Sequence, residues 1–550
     1  MDFMPDLWGE GQLLAFSGVD GVTRATEPLV LTTAVVDGAL RLRLPLDLAV
    51  GFDGLRVQRW TCVLGDALVG EADGGPYRLA FADHHTVVGE VPSGVRVTVG
   101  EVSLSMPPCR LARVGEGDLV GWQDGTAWGL AWRTPGDGDL APVPVRPDLA
   151  ALCRERAGFV RAVEASEELT PGQFRLLRKA VSVMKVNLYS AEGPRRRRWS
   201  TPDRWPHRHM WLWDSAFHAV GMAYVDLGLA QDEILAMLEA ITPEGMLPHM
   251  VQADGGHSAI TQPPLLAWST RHVMDLGGDP SWARECLPLL ERYLDWDRRH
   301  RDRNGNGLPE WQISGEPLCR CGESGLDNSS VYDRGVLLDA PDFAAFLYND
   351  YECLADLAER LGDEALAERC HRAADPVAVA VNASLWLESA GLYAHLDHDG
   401  GLLPIKTIAG FMPLFAGIAT TDRAARLAGH LSNPATFGAP VQVPSEALDS
   451  GTFCKDMWRG PAWVNLSYLV VLGLRRYGFS AEAEALKENL LETVQRWYER
   501  EGCLFEYYDA LGLTSPRDLD RKRRLGTGRG IAPICDYHWT AAVTAALLLE

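Results

Sequence analysis

Two carboxylates stand in segments that could place them in a site, one on a polar loop and one between aromatic residues. Asp327 lies in "GESGLDNSS", where the Gly, Asn and Ser residues disfavour a helix because they are flexible or compete for backbone hydrogen bonds. Glu506 lies in "CLFEYYDALGLTS", between Phe505 and Tyr507. Aromatic neighbours remove water from a carboxyl group, which tunes an acid or a base for proton transfer. Two carboxylates from distant loops are what glycosidic cleavage requires, because one protonates the leaving oxygen and the other activates water.

Other segments carry residue types that suit a sugar ring. In "RHMWLWDSAFHAVG", Trp211 and Trp213 offer indole faces for C–H groups, and Asp214 offers an acceptor for hydroxyls. Gln262 precedes two prolines in "ITQPPLLAW", so its polar side chain is held on a rigid turn. Plainer interpretations stay open, because Asp214 could be a helix N-cap and Glu506 a surface acid beside core aromatics. A single sugar site explains all these segments together.

The segment "RDRNGNGLPEWQISG" indicates a possible metal loop. Asp302, Asn304, Asn306 and Gly307 match the start of a calcium-binding loop, but Ile313 stands where an EF-hand has its glutamate. The loop is therefore not an EF-hand. Two alternatives remain open: calcium held by Asp302, Asn304, Asn306 and a distant acid, or a tight turn without metal.

The composition excludes several classes of partner. The chain has 550 residues, a formal net charge of −22 and 47% hydrophobic residues, which is typical of a folded protein of one or two domains. An acidic balance argues against nucleic acid, and no apolar run is long enough to cross a membrane. The N-terminus lacks the pattern of a signal peptide, and the eleven cysteines suggest no disulfide framework. We therefore expect a cytoplasmic protein with reduced thiols; the sequence gives no indication of an oligomeric state.

The hydrophobic period changes along the chain and predicts two kinds of structure. Residues 1–150 contain alternating runs such as "LRLRL" between Gly, Pro and Asp clusters, which predicts an antiparallel β-sandwich domain. Residues 151–169 are interpreted as a linker. Residues 170–550 contain about twelve helical segments, the first opening with Thr170 as N-cap. Paired helices over this length predict an α/α toroid around a pocket. The tryptophans of "GWQDGTAWGLAW" could be core residues or a sugar-stacking shelf.

Seven motifs, in this order, resemble glycoside hydrolase family 63 and its neighbours: "WLWDSAFH", "TQPPLLAW", "NGNGLPEW", "ESGLDNS", "WRGPAWVN", "FEYYDALG" and "YHWTAA". The neighbours are the mannosylglycerate and glucosylglycerate hydrolases, the processing oligosaccharide glucosidases and the family 37 trehalases. The resemblance runs from about Trp205 to the C-terminus. It implies an (α/α)6 barrel preceded by a β-sandwich, and an inverting mechanism.

The resemblance also implies roles for individual residues. Asp327 corresponds to the general acid of the family and Glu506 to the general base. The remaining motif residues would hold the sugar: Trp211, Trp213, Asp214, Gln262, Trp311, Gly325, Trp458, Arg459 and Trp539. Some relatives carry calcium at a loop of the type found here, so the resemblance implies a structural calcium at Asp302, Asn304 and Asn306. No cofactor is expected for the chemistry itself.

The predicted function is an exo-acting inverting α-glycosidase that removes terminal α-glucosyl residues from a di- or oligosaccharide or a glucosylated small molecule. Asp327 is expected to be kept protonated by a semi-enclosed pocket, and Glu506 to be ionised. One alternative is a sugar epimerase or lyase on the same toroid, which would need His209, His249 or His538 for proton abstraction. The other is a carbohydrate-binding protein that has lost hydrolysis.

Overall fold

The computed structural model describes residues 3–26, 28–133, 148–164, 168–314, 316, 319–333, 337–522 and 533–550. Thirteen strands form the described N-terminal region. They are β1 (Leu13–Ala15), β2 (Val30–Thr33), β3 (Leu40–Leu44), β4 (Leu48–Asp53), β5 (Val57–Val63), β6 (Ala67–Ala72), β7 (Gly75–Asp83), β8 (Thr86–Glu90), β9 (Arg96–Val99), β10 (Val102–Ser103), β11 (Cys109–Val114), β12 (Gly117–Asp124) and β13 (Ala127–Arg133).

These strands make the predicted antiparallel sandwich. One sheet has the order β1-β2-β3-β4-β9-β10 and the other β11-β12-β13-β8-β7-β6-β5. The alternation of "LRLRL" works as expected, because Leu40 and Leu42 are buried while Arg41 is exposed. Trp122, Trp128 and Trp132 are all buried. Trp128 and Trp132 belong to the core of the sandwich, whereas Trp122 lines a second cavity on this domain.

Fourteen α-helices follow within the described ranges. They are α1 (Leu149–Arg156), α2 (Gly158–Arg161), α3 (Pro171–Val186), α4 (Leu212–Met222), α5 (Leu227–Leu238), α6 (Leu266–Asp275), α7 (Pro280–His300), α8 (Pro341–Leu361), α9 (Glu364–Ser384), α10 (Met412–Ala416), α11 (Thr421–Ser432), α12 (Val464–Arg476), α13 (Ser480–Glu501) and α14 (His538–Leu549). None of the helices in these ranges is both long and apolar enough to cross a bilayer.

Short elements connect the helices. The 3₁₀ helices are Gly322–Ser324, Ser330–Asp333, Ile408–Phe411 and Pro516–Asp518. The short strands are β14 (Leu188–Tyr189), β15 (Trp199–Ser200), β16 (Met210–Trp211), β17 (Met250–Val251), β18 (Glu310–Gln312), β19 (Leu337–Asp339), β20 (Trp386–Leu387), β21 (Leu392–Tyr393) and β22 (Leu396–Asp397).

The helices from α4 onward close a barrel. The even-numbered helices α4, α6, α8, α10, α12 and α14 each contact the next, and α14 returns to contact α4. Others pack outside this ring: α3 on α14, α5 on α4, α9 on α8 and α13 on α12. Every residue of α4 is buried, as an inner helix requires. The predicted (α/α)6 barrel preceded by a β-sandwich is confirmed, whereas the domain boundaries at residues 150 and 170 stay a prediction.

One buried carboxylate joins the sandwich, the barrel and a pocket-lining segment. Asp536 accepts hydrogen bonds from the backbone N–H of Leu13 in β1 (2.9 Å) and of Leu504 (3.2 Å). The Nζ of Lys179 in α3 lies 2.8 Å from the same carboxylate, and both side chains are almost fully buried. The backbone of Asp536 has a left-handed φ of 54°. Leu504 is two residues before Glu506, so this ion pair also fixes the segment that carries the candidate base.

We expect Lys179→Met to destabilise the protein by about 3–5 kcal/mol, because it leaves Asp536 buried without a counter-ion. The matched control is Arg59→Met, which removes an exposed ion pair with Glu71 and should cost less than about 1 kcal/mol. Urea denaturation followed by circular dichroism measures both. Equal losses for the two variants would contradict the role assigned to Asp536.

Candidate active site

A pocket opens where the N-terminal ends of α4, α6, α12 and α14 meet. Its empty space is about 620 Å³, counting the part that is open to solvent. The lining residues come from these helix starts and from the loops before α8 and α14: His207, Trp211, Trp213, Asp214, His249, Gln262, Cys319, Gly322, Gly325, Asp327, Met457, Trp458, Trp463, Glu506, Arg521, Lys522, Tyr537 and Trp539. Both candidate catalytic carboxylates therefore line the same cavity.

Two of the residues expected to bind sugar lie elsewhere. Trp311 is fully buried in the core, where it stacks on Phe343 at 3.8 Å and donates a hydrogen bond to Asp342 (3.0 Å). Arg459 donates to the backbone carbonyl of Asn328 (2.7 Å) and pairs with Asp333. Trp311 therefore packs the barrel wall. Arg459 positions the loop after Asp327 and does not line the sugar pocket.

The two carboxylates of the segment "GESGLD", Glu323 and Asp327, have different surroundings. Glu323 is buried, pairs with Arg301 and accepts the backbone N–H of Gln312 (3.1 Å), so it anchors the segment. Gly325 then takes a left-handed φ of 72°, which turns the chain toward the pocket. Asp327 follows on the predicted loop. Its side chain keeps 20% of its surface exposed, so it is the carboxylate that remains available to a ligand.

Asp327 is paired with a cation that the sequence analysis did not anticipate. The Nζ of Lys522 lies 2.7 Å from its carboxylate. Burial opposes the charge of Lys522, but Asp327 and Cys319 raise its pKa above the usual value. The expectation that the pocket keeps Asp327 protonated stays a prediction, and the contact with Lys522 is a feature that the sequence analysis did not include.

Glu506 is held rigidly by Arg521. The guanidinium donates to both carboxylate oxygens, at 2.9 and 3.2 Å, and the side chain of Glu506 is about 2% exposed. Burial works against the charge of Arg521, but Glu506 raises its pKa. His207 lies 3.4 Å from Arg521 and 2.6 Å from Asp203, which extends the network. Glu506 is therefore an oriented pocket group and not a surface acid.

Asp214 is a third carboxyl group in the pocket. The N-cap of α4 is Trp211, so Asp214 lies inside the first turn and the N-cap interpretation does not apply. Burial is the main cause that raises its pKa well above the usual range; its backbone hydrogen bond opposes this, and Asp203, Glu506 and Asp327 add to it. Its Oδ1 has no hydrogen-bond partner within the described residues. An unpartnered buried carboxyl is suited to a ligand hydroxyl.

Indole rings form the pocket wall. Trp213 lies 5.6 Å from Trp539 and 6.1 Å from Trp458, measured between ring centroids. Trp458 stacks on Trp463 at 3.6 Å. Gln262 accepts the backbone N–H of Trp213 at 3.3 Å, which ties the "TQPP" turn to this wall. Aromatic faces beside carboxyl groups are the combination that binds polyhydroxylated rings.

The histidines do not supply the centre that an epimerase or lyase would need. Of the three candidates, His249 lines the pocket, and burial lowers its pKa to about 4. His538 is fully buried and stacks on His218, whereas His209 lies beside the pocket-lining residues without being one of them. The arrangement therefore favours carboxylate chemistry.

Sequence reasoning missed several pocket residues, notably Arg521, Lys522, His207, Tyr537 and Trp463. The available signal was the run "RKRR" that begins at Arg521, because basic residues 15 positions after the predicted base Glu506 suggest charge pairing with that acid. Tyr537 and Trp463 stand at helix N-caps, where an aromatic residue gives no local hint of its role.

The predicted metal loop is held by hydrogen bonds between its own residues. Asp302 accepts the backbone N–H groups of Asn306 and Gly307, both at 3.0 Å, as in a tight Asx turn. The side-chain amides of Asn304 and Asn306 donate to Asp339 at 3.3 and 2.6 Å. A group of three residues that was not predicted lies beside the loop: Glu310, Asp339 and His398. Each offers one metal-ligand atom, and these three atoms lie within 4.8 Å of one another.

An (α/α)6 barrel whose pocket holds carboxyl groups from separate loops and an indole wall suits glycoside hydrolysis. Residues 207–512 match the family described as mannosylglycerate hydrolase MGH1-like glycoside hydrolase domain. The match covers more than half of the chain, so the protein belongs to this family, within glycoside hydrolase family 63.

Relatives support the same assignment. A mannosylglycerate hydrolase of Thermus thermophilus is 29% identical over 66% of this chain and 98% of its own length. The crystal structure of a mannosylglycerate hydrolase from a second strain of Thermus thermophilus, in complex with glucose, is 29% identical, has a TM-score of 0.56 and covers 68% of this chain and 99% of that one. A rhamnosidase of Klebsiella oxytoca shares the fold over 99% of this chain and 95% of its own, at 11% identity and a TM-score of 0.53.

We expect Gly325→Ala to cost about 3–5 kcal/mol, because a Cβ there would lie 2.4 Å from the ring of Trp213 and the φ is left-handed. Gly362→Ala is the matched control: its φ is 82°, but a Cβ meets nothing within 4 Å, so it should cost about 1–2 kcal/mol. Urea denaturation gives both values. Similar costs would show that the Trp213 contact is not restrictive.

Proposed function

We propose that this glycoside hydrolase is an exo-acting, inverting α-glycosidase that removes terminal α-glucosyl residues from a di- or oligosaccharide or a glucosylated small molecule. The observation that carries the proposal is that Asp327 and Glu506 come from separate loops and line one pocket with an indole wall. Asp214 supplies a buried polar group for a ring hydroxyl. The glucose complex of the Thermus relative supports a pocket of pyranose size.

In the proposed mechanism, Asp327 donates a proton to the glycosidic oxygen. Glu506 removes a proton from water on the opposite face of C1, which requires the two carboxyl groups to be roughly 6.5–9.5 Å apart. Arg521 orients Glu506 through two hydrogen bonds. Lys522 forms an ion pair with Asp327, the group that must deliver the proton. Substrate binding therefore has to separate Lys522 from Asp327 before the bond is cleaved.

A second candidate is a glycoside whose small aglycone carries a carboxylate. Arg521 and Lys522 place two cations at the catalytic acids, and an anionic aglycone would give Lys522 a partner other than Asp327. The names of the Thermus relatives, mannosylglycerate hydrolases, agree with this chemistry. The ratio of kcat/KM for the α-glucosides of glycerate and glycerol separates the candidates, because the charge of the aglycone is the main difference between them. A ratio near one would exclude the anionic aglycone.

We expect Asp327→Asn to lower kcat/KM on a disaccharide by about 10²–10⁴-fold, because proton donation to a poor leaving group is lost. Activity on dinitrophenyl α-glucoside, whose leaving group needs no proton, should fall much less. Glu506→Gln should reduce both activities, because water is not activated. Asp449→Asn, an exposed acid paired with Lys406, is the control and should leave the rates unchanged.

Proton NMR of the first-released sugar accompanies these assays. A β-anomer from an α-glycoside is expected for inversion, whereas an initial α-anomer would contradict it. Loss of activity in Asp327→Asn that is equal for both substrates would contradict the role of Asp327 as proton donor.

We expect Lys522→Met to move the alkaline limb of the pH profile of kcat/KM to higher pH. Asp327 raises the pKa of Lys522 through their ion pair, and the variant removes this interaction from the proposed proton donor. Lys455→Met is the matched control, because Lys455 pairs with Asp509 at 2.8 Å outside the pocket lining. An alkaline limb that moves to lower pH, or moves equally in the control, would contradict this role for Lys522.

We also propose a structural calcium at the loop of Asp302, Asn304 and Asn306, with Glu310 and Asp339 as further ligands. Glu310 and Asp339 are almost fully buried, and no Lys or Arg side chain in the described ranges pairs with either, so their charges suit a hard cation. The ion would stabilise the loop and take no part in the chemistry. Chelator treatment should lower the thermal midpoint, and calcium but not sodium should restore it; no change would contradict the proposal.

A further inference from the structure

Two cysteines, Cys503 and Cys535, lie on the segments that follow α13 and precede α14. They stand on two segments that pair as an isolated antiparallel bridge between Phe505 and Cys535. Cys503 is fully buried, while Cys535 is half-buried. Glu506 follows Cys503 by three residues along one segment. Cys503 therefore belongs to the same segment as Glu506, the candidate general base.

Arg517 brings the two sulfur atoms to one guanidinium. Its Nη1 lies 3.5 Å from the Sγ of Cys535, and its Nη2 lies 3.4 Å from the Sγ of Cys503. Both thiols also face the backbone carbonyl of Glu10, at 3.2 Å for Cys503 and 4.0 Å for Cys535. Glu501 fixes the guanidinium through a 2.6 Å ion pair. The two sulfurs thus share one cation and one acceptor.

The surroundings make the two thiols unequal. The neighbouring Cys503 is the largest cause that lowers the pKa of Cys535, burial opposes it, and Arg517 lowers it further. Burial raises the pKa of Cys503 well above the usual range. A thiolate that is stabilised by a cation beside a neutral thiol is the arrangement of reactive dithiols, in which one sulfur attacks and the other resolves.

We propose that Cys535 and Cys503 form a peroxide-reactive dithiol, in which Cys535 is the attacking sulfur and Cys503 the resolving one. The Cys535 thiolate attacks hydrogen peroxide; the O–O bond breaks, a sulfenic acid forms and the departing hydroxide takes up a proton to become water. The Cys503 sulfur then attacks the sulfenic sulfur, the S–O bond breaks and a second water leaves with the thiol proton. Overall, two thiols and one peroxide give one disulfide and two waters.

The disulfide would close a loop that contains both cations of the active site. Glu506, Arg521 and Lys522 all lie between Cys503 and Cys535 in the chain. The covalent link would therefore restrict the segment in which Lys522 has to leave Asp327. This consequence follows from chain connectivity, and the covalent chemistry itself can be measured without any assay of hydrolysis.

The test uses the folded full-length protein, one equivalent of hydrogen peroxide and peptide mapping by mass spectrometry without reduction. We expect a linked peptide containing Cys503 and Cys535, which dithiothreitol removes. Cys319 is the internal control, because it is also half-buried but burial, with a contribution from Asp327, raises its pKa to about 12. At neutral pH, iodoacetamide should modify Cys535 at least tenfold faster than Cys319.

Variants assign the two roles. In Cys503→Ser, dimedone should trap a sulfenic acid on Cys535; in Cys535→Ser, neither the trapped acid at this pair nor the disulfide should form. Arg517→Met should slow formation of the disulfide at least tenfold, with circular dichroism confirming the fold. Equal alkylation of Cys319 and Cys535 in the wild-type protein, or oxidation without a Cys503–Cys535 link, would overturn the proposal, whatever the variants do.

Discussion

The carboxylate of Asp536 is buried at the junction of β1, α3 and the segment before Glu506, and its charge has to be compensated there. Lys179 supplies the counter-ion, and two backbone N–H groups complete its coordination. A buried charge tolerates little displacement from its partners, so β1, α3 and the segment before Glu506 are held in fixed positions relative to one another. Tyr537 and Trp539 follow directly and line the pocket. The sandwich is thus part of the support of the pocket, because β1 supplies one of the hydrogen bonds to this charge.

The pocket itself follows from the alternation of inner and outer helices. The inner helices α4, α12 and α14 begin at the pocket with Trp211, Trp463 and Tyr537 as N-caps, and none of these caps makes a side-chain capping bond. The N-terminal ends of helices carry partial positive charge, which favours carboxylates nearby. Three carboxyl groups can therefore gather in one cavity, where Arg521 and Lys522 compensate the charge further.

Much of this could be predicted from the sequence, because the responsible signals are local. The change in hydrophobic period predicted the sandwich and the helices, and the motifs predicted Asp327, Glu506 and most of the aromatic wall. Trp311 and Arg459 were assigned to the pocket because they belong to the same motifs. A motif contains residues that pack the core as well as residues that bind a ligand. Only the fold shows that Trp311 stacks on Phe343 and not on a sugar. Arg521 and Lys522 were missed because their partners lie on other segments, and pairing across 195 positions, from Asp327 to Lys522, leaves no local pattern.

Arg521 and Lys522 are consecutive residues, yet they pair with carboxylates of opposite proposed roles. Arg521 pairs with the proposed base, Glu506, and Lys522 with the proposed acid, Asp327. Their Cα atoms are joined by one peptide unit, so the proposed acid and the proposed base are both held by the same short segment. A displacement of this dipeptide backbone would therefore disturb both ion pairs at once. A substitution that shifts the backbone at either position would accordingly change the surroundings of both carboxylates, and its effect on activity could not be assigned to one of them alone.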